Sequence, residues 1–149
     1  MTTPAPLTLL AADLADLDVI SAAVQDAIVR VKDLSFDARA RRFTAAIDRF
    51  RWEAARETGP FERVRAGLAF DGVLNVRTRR LRRDAPEAIA ALLSIAFLPD
   101  EEPPGGVVRL VLAGGGEVEL QVECLDATLA DFGAPWRTPR RPDHLDGAG

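Results

Sequence analysis

Val108-Arg-Leu-Val-Leu-Ala-Gly-Gly-Gly-Glu-Val-Glu-Leu-Gln-Val122 is the stretch that decides the fold. Valine and leucine recur at every second position on both sides of three glycines, which is the period of a half-buried strand. The glycines supply the turn. Closing the hairpin symmetrically over Gly114–Gly116 sets Leu112 opposite Val118, Leu110 opposite Leu120 and Val108 opposite Val122. All six then share one face, and a one-residue slip would turn one apolar set to water. The other face carries Arg109 between Glu119 and Glu123 as diagonal neighbours, contacts worth tenths of a kcal/mol to about 1 kcal/mol each.

The same period runs back along the chain. Val29 and Val31 alternate with charged residues, and Leu34 and Phe36 continue after a step at Asp33 that reads as a bulge. Asp37–Arg41 is a hairpin turn. Phe43, Ala45 and Ile47 share a face, and Phe50 and Trp52 resume out of phase, which predicts a kink near Asp48–Arg49. Val64, Ala66, Leu68 and Phe70 alternate cleanly. Asp71–Gly72 then fits either a two-residue hairpin or one long strand bent at the glycine, since Leu74 and Val76 keep the parity of Phe70. Ser94–Leu98 is a further strand.

Three segments carry helical spacing instead. Leu14, Leu17, Ile20 and Val24 form a stripe behind Asp13 or Asp16 as cap. Asp84-Ala-Pro-Glu87 reads as a capping box leading into Ile89, Leu92 and Leu93. Leu125, Leu129 and Phe132 mark a short C-terminal helix ended by Gly133 and Pro135. The expected fold is therefore α+β, an antiparallel sheet of about seven strands with an N-terminal helix and a short C-terminal helix. That order resembles pleckstrin-homology-like barrels, in which two near-orthogonal sheets form the core and a helix plugs one end; an open sheet with helices on one face is the alternative. Residues 1–133 are expected to form a single globular domain. Residues 134–149, with their prolines and arginines, form a tail that is a candidate for disorder.

A chain of 149 residues, 48% hydrophobic and 28% charged, has the composition of one globular domain. It contains no stretch of 18 apolar residues, so no transmembrane segment is expected. The single cysteine, Cys124, can form no internal disulfide, which points to a reducing cytoplasm; its expected place is that of a small buried hydrophobe. One histidine, His144, sits near the terminus, so neither a Ser–His or Cys–His pair nor a zinc site is expected. Lys32 is the sole lysine and no phosphate loop surrounds it. No catalytic residue, metal or cofactor is assigned. A carboxylate-based enzyme stays open as an alternative, because Asp and Glu are abundant.

Charge is unevenly placed. Residues 39–83 carry 13 basic and 5 acidic side chains, whereas residues 84–131 carry 1 and 10. The densest basic patch is Arg77, Arg79, Arg80, Arg82 and Arg83, whose planar donor forks suit phosphate or carboxylate. RNA or a phosphorylated ligand is one reading. The bland reading is a solvated strand end, or pairing with Asp100, Glu101, Glu102 or Glu117. Trp52 is expected in the core at one end of the barrel. Trp136 either anchors the tail to the domain or is an exposed docking residue.

The chain resembles a small proteobacterial family of domains of unknown function. The resemblance runs through Leu7–Leu10, Asp18-Val-Ile-Ser21, Gln25–Val31, Arg42-Phe43, Arg49-Phe-Arg-Trp-Glu53, Val73–Arg79, Val122-Glu-Cys124, Leu129–Gly133 and Trp136. It implies a compact bacterial domain and carries no activity, cofactor or catalytic residue with it. The barrel resemblance implies binding of phosphoinositides, peptides or partner domains. The functional expectation is a non-enzymatic cytoplasmic interaction module that binds a protein partner or self-associates, with anion binding by Arg77–Arg83 as the alternative.

Overall fold

The computed structural model describes residues 6–55, 58–82 and 84–142. Ten strands and one α-helix follow one another as β1 (Thr8–Ala11), α1 (Leu14–Ala23), β2 (Ala27–Asp37), β3 (Arg42–Phe50), β4 (Phe61–Asp71), β5 (Val73–Arg79), β6 (Ile89–Pro99), β7 (Gly106–Leu112), β8 (Glu117–Val122), β9 (Ala127–Asp131) and β10 (Trp136–Thr138). All pairings are antiparallel, in the order β1-β9-β4-β3-β2-β6-β7-β8-β5, with β10 beside β4. No helix among the described residues is long and apolar enough to cross a membrane.

That order cannot lie flat. β4 and β5 stand six strands apart, about 29 Å in a flat sheet. Yet Gly72 alone separates them, so Asp71 and Val73 are at most roughly 7 Å apart. The sheet must fold over into two layers, β1-β9-β4-β3-β2 and β6-β7-β8-β5. The layers join where the start of β2 pairs β6 and where the chain turns at Gly72 (φ +70°). Of the two sequence readings at Asp71–Gly72, the bent strand is the one found.

The inward faces form one core. Phe43, Ala45, Ile47, Ala66, Leu68, Phe70 and Leu129 from the first layer meet Leu92, Ile95, Val108, Leu110, Leu112, Val118, Leu120 and Val122 from the second. Helix α1 adds Leu17 and Ile20, with Val24 behind them, and packs against β1 and β6. Asp13 caps it by accepting the Asp16 N–H, and the Ser21 hydroxyl accepts the Ile95 N–H.

Several expectations are corrected. The described residues form ten strands rather than about seven; β9 and β10 lie where a helix and the tail are expected. The C-terminal helix is absent: Ala127–Asp131 is a strand that fills the place between β4 and β1, leaving Phe132 outside. An available sheet edge outweighs a three- and four-residue apolar spacing over so short a run. The capping box at Asp84 opens no helix. Its segment turns along β2, where the Pro86 and Ala88 carbonyls accept the Lys32 and Val31 N–H groups, and β6 begins at Ile89. The β7–β8 hairpin keeps the expected faces but pairs two residues away, with Leu110 opposite Val118 and Arg109 opposite Glu119. Parity forbids slips by one and permits slips by two. The positive φ angles at Gly114 and Gly115 and the Leu112 N–H to Gly116 carbonyl bond centre the turn on Gly114. Finally, β3 pairs β4 without interruption from Arg42 to Phe50, so no kink exists at Asp48–Arg49, and Cys124 is exposed rather than buried. The expected bulge in β2 is present, between Val29 and Leu34.

Candidate functional site

Folding the sheet over leaves a seam. β2 is eleven residues long, but only Ala27–Arg30 pair with β6, and the 86–88 turn covers two more of its N–H groups. Beyond Lys32, that edge of β2 has no strand partner among the described residues. β5 pairs β8 on one side and, among the described residues, no strand on the other. Two open strand edges therefore flank a gap, with the core at its floor.

The gap is a groove of about 410 Å³ lined by Val31, Lys32, Leu34, Ser35, Phe36, Phe43, Val76, Thr78, Leu81, Pro86 and Val118. Phe43 and Val118 are core residues, so the groove reaches the interior. Leu81, partly buried against the core, lines it. A second cavity of about 210 Å³ shares Val31, Leu34 and Leu81 with the groove and is lined further by Val29, Ala88, Ala90, Leu112, Arg80 and Arg82 among others. The groove combines apolar side chains with the polar groups of Lys32, Ser35 and Thr78, and a concave surface that pairs apolar contact with a few polar groups has the make-up of a binding site.

The expected site residues separate. Arg77 and Arg79 lie on the outer face of β5, opposite Glu119 and Glu117 of β8. Arg80, in a left-handed backbone conformation, and Arg82 line the smaller cavity. Arg83 and His144 lie outside the described residues. Trp136 stands on β10 opposite Arg63, on the other layer and half-exposed. Arg77, Arg79, Arg80 and Arg82 take part in none of the ion pairs among the described residues. The rest of the basic segment behaves differently: Arg41 pairs with Glu123, Arg42 with Asp71, Arg51 with Glu62, and Arg65 with both Asp48 and Asp33. Internal pairing thus absorbs much of the charge asymmetry, through partners other than those expected.

One charged cluster escaped the sequence reading. The Arg49 guanidinium is fully buried and donates from Nε and Nη2 to Asp131 at 2.7 and 2.8 Å, and from Nη1 and Nη2 to Glu53 at 3.0 and 2.8 Å. Asp131 also accepts the Leu7 N–H at 3.0 Å. Burial alone would raise the Asp131 and Glu53 carboxyls; the hydrogen bonds and charge of Arg49 outweigh it and hold both below the usual carboxylate range. Burial likewise disfavours the charged guanidinium, but its bonds to Asp131 and Glu53 raise its pKa further.

A pH dependence follows. Carboxyls whose folded pKa is depressed stabilise the fold above their unfolded values, about 3.9 for Asp and 4.3 for Glu. That stability is lost as pH falls through the lower folded values. Urea midpoints should therefore be insensitive to this cluster from pH 7 to about 5 and fall on further acidification. The Arg49→Ala protein should show a shallower acid loss; parallel pH profiles for the two proteins would contradict the assignment.

A comparison with curated proteins finds no match. Residues 7–144, spanning both layers, the seam and the Arg49 cluster, match the family described as "Protein of unknown function (DUF2948)", and the chain belongs to that family.

Proposed function

We propose that the protein is a non-enzymatic interaction module that takes an extended segment of a partner protein into the seam between β2 and β5. The observation that carries this reading is the pair of open strand edges facing each other across an apolar floor. An exposed edge offers a row of unpaired N–H and C=O groups, the template for strand addition, with side-chain pockets giving selectivity. A bound strand would complete the cylinder that the pleckstrin-homology-like order implies. The lone, exposed Cys124 fits a reducing cytoplasm as the setting.

The test is selection of peptides from a random displayed library on the folded chain, followed by amide chemical-shift mapping. Selected peptides should move amides of residues 33–36 and 74–79. Val76→Arg should abolish binding while leaving the far-ultraviolet circular dichroism unchanged, and Thr78→Arg serves if the first variant does not fold. Peptides that map instead to Phe132 and Trp136, or a selection yielding no binder, would overturn the reading.

A further inference from the structure

The charge pattern around β5 defines the chemistry of the segment that the seam would take; this inference rests on the reading of the seam as a strand-docking site. Along β5, Val76 and Thr78 face inward opposite Leu120 and Val118, and Arg77 and Arg79 face outward opposite Glu119 and Glu117. One strand further, Arg109 of β7 lies opposite Glu119 and near both glutamates, at 3.6 and 3.8 Å. The outer face of this layer is thus a ladder that alternates in sign from strand to strand: Arg109, then Glu117 and Glu119, then Arg77 and Arg79. Three guanidinium groups share two carboxylates. Arg109 holds the ion contacts, and Arg77 and Arg79 hold none among the described residues.

We infer that the partner segment alternates apolar and acidic residues, its apolar side chains entering the groove beside Val76 and Thr78 and its carboxylates lying outside against Arg77 and Arg79. The next rung of the ladder after two arginines is acidic, because opposite charges directly across a strand pair attract and like charges repel. The chain already contains such a strand. β8, Glu117-Val-Glu-Leu-Gln-Val122, pairs the far side of β5 with Val118 and Leu120 inward and its glutamates against these same arginines. The same rule disfavours a second copy docked through its own β5, since antiparallel pairing about Thr78 would set Arg77 against Arg79. A bare phosphate chain would engage the arginines and leave the apolar groove unused.

The probe is a labelled hexapeptide with the sequence of residues 117–122, compared with its counterpart carrying lysine at both glutamate positions. Both are titrated to millimolar concentration against the full chain, with amide shifts as readout. The glutamate peptide should bind at least tenfold more tightly and move the amides of Val76 and Thr78, and added salt should weaken it. Arg77→Glu/Arg79→Glu should reverse the preference. Arg77→Gln/Arg79→Gln, which adds no charge, should abolish it and serves if the reversal does not fold. Equal binding of the lysine peptide would overturn the inference, as would failure of both hexapeptides while library-selected peptides still occupy the seam; either result leaves the docking reading standing. A concentration-dependent dimer lost in these variants, or inorganic polyphosphate binding that the glutamate peptide cannot displace, would overturn it in favour of a second copy or a simple anion. Loss of library binding to the seam as well would remove the docking reading itself.

Discussion

Arg49→Ala is expected to cost about 3–5 kcal/mol, the range for stripping one partner from a buried ion pair. For a chain of this length, that amounts to a fall in Tm of roughly 10 °C or more. The loss falls unequally. Glu53 is half-exposed and water can replace the guanidinium, but the Asp131 side chain is only 5% exposed and would retain just the Leu7 N–H. The cost therefore lies in a carboxylate left charged without a counterion. This gives a sharper test than the single variant. Arg49→Met/Asp131→Asn removes both charges and should be less destabilised than the sum of the two single changes, because the second change relieves what the first exposes. Denaturant midpoints for the four proteins measure the coupling. Additive effects, or an Arg49→Ala cost below about 1 kcal/mol, would show that Asp131 is effectively solvated.

The same cluster shows why part of the molecule was legible in sequence and part was not. Arg49 continues the inward series Phe43, Ala45, Ile47, and Asp131 continues the inward series Ala127, Leu129. A charge at core parity looks like the end of a strand, and the out-of-phase aromatics Phe50 and Trp52 that follow Arg49 predict a kink there. It is in fact a strand whose last inward position is satisfied by an opposite charge two strands away, across Val64 and Ala66. Two series of inward residues, each ending in a charge of opposite sign, constitute the signal that was present. Alternation gave the faces of β3, β4, β7 and β8 correctly because burial acts residue by residue. It could not give register beyond parity, as the two-residue offset in the β7–β8 hairpin shows. Nor could it give β9, whose strand state depends on the open edge of β4, an element almost sixty residues earlier. The seam was invisible for the same reason: it arises from the mismatch between the length of β2 and the extent of its pairing with β6, and strand pairing is a property of the assembled sheet.

Phe50→Ala is expected to be comparably severe, about 3–5 kcal/mol for a fully buried phenylalanine. Its position makes the result informative. Phe50 is completely buried although its parity is opposite to that of Phe43, Ala45 and Ile47, so it lies on the outer face of the sheet. What covers it is local: the Trp52 ring at 4.5 Å between centroids, the Phe61 ring at 6.0 Å, and the Arg63 guanidinium 5.9 Å above its own ring. The Trp52 indole N–H donates to the Gln25 carbonyl at 3.0 Å, tying this cover to the segment just after α1. Trp52 and Phe61 flank the connection between β3 and β4, so the out-of-phase aromatics in the sequence record a second, smaller apolar cluster on the outside of the sheet. Phe50→Leu keeps much of the volume and should recover more than half of the loss, whereas a polar residue of similar size should not. Trp52→Ala should be milder, since Trp52 is itself partly exposed. Combined with Phe50→Ala, it should cost less than the sum of the two because they remove one shared contact. Were Phe50→Ala to cost under about 1 kcal/mol, the outer cluster would be a surface decoration and the full burial of Phe50 would need another cause.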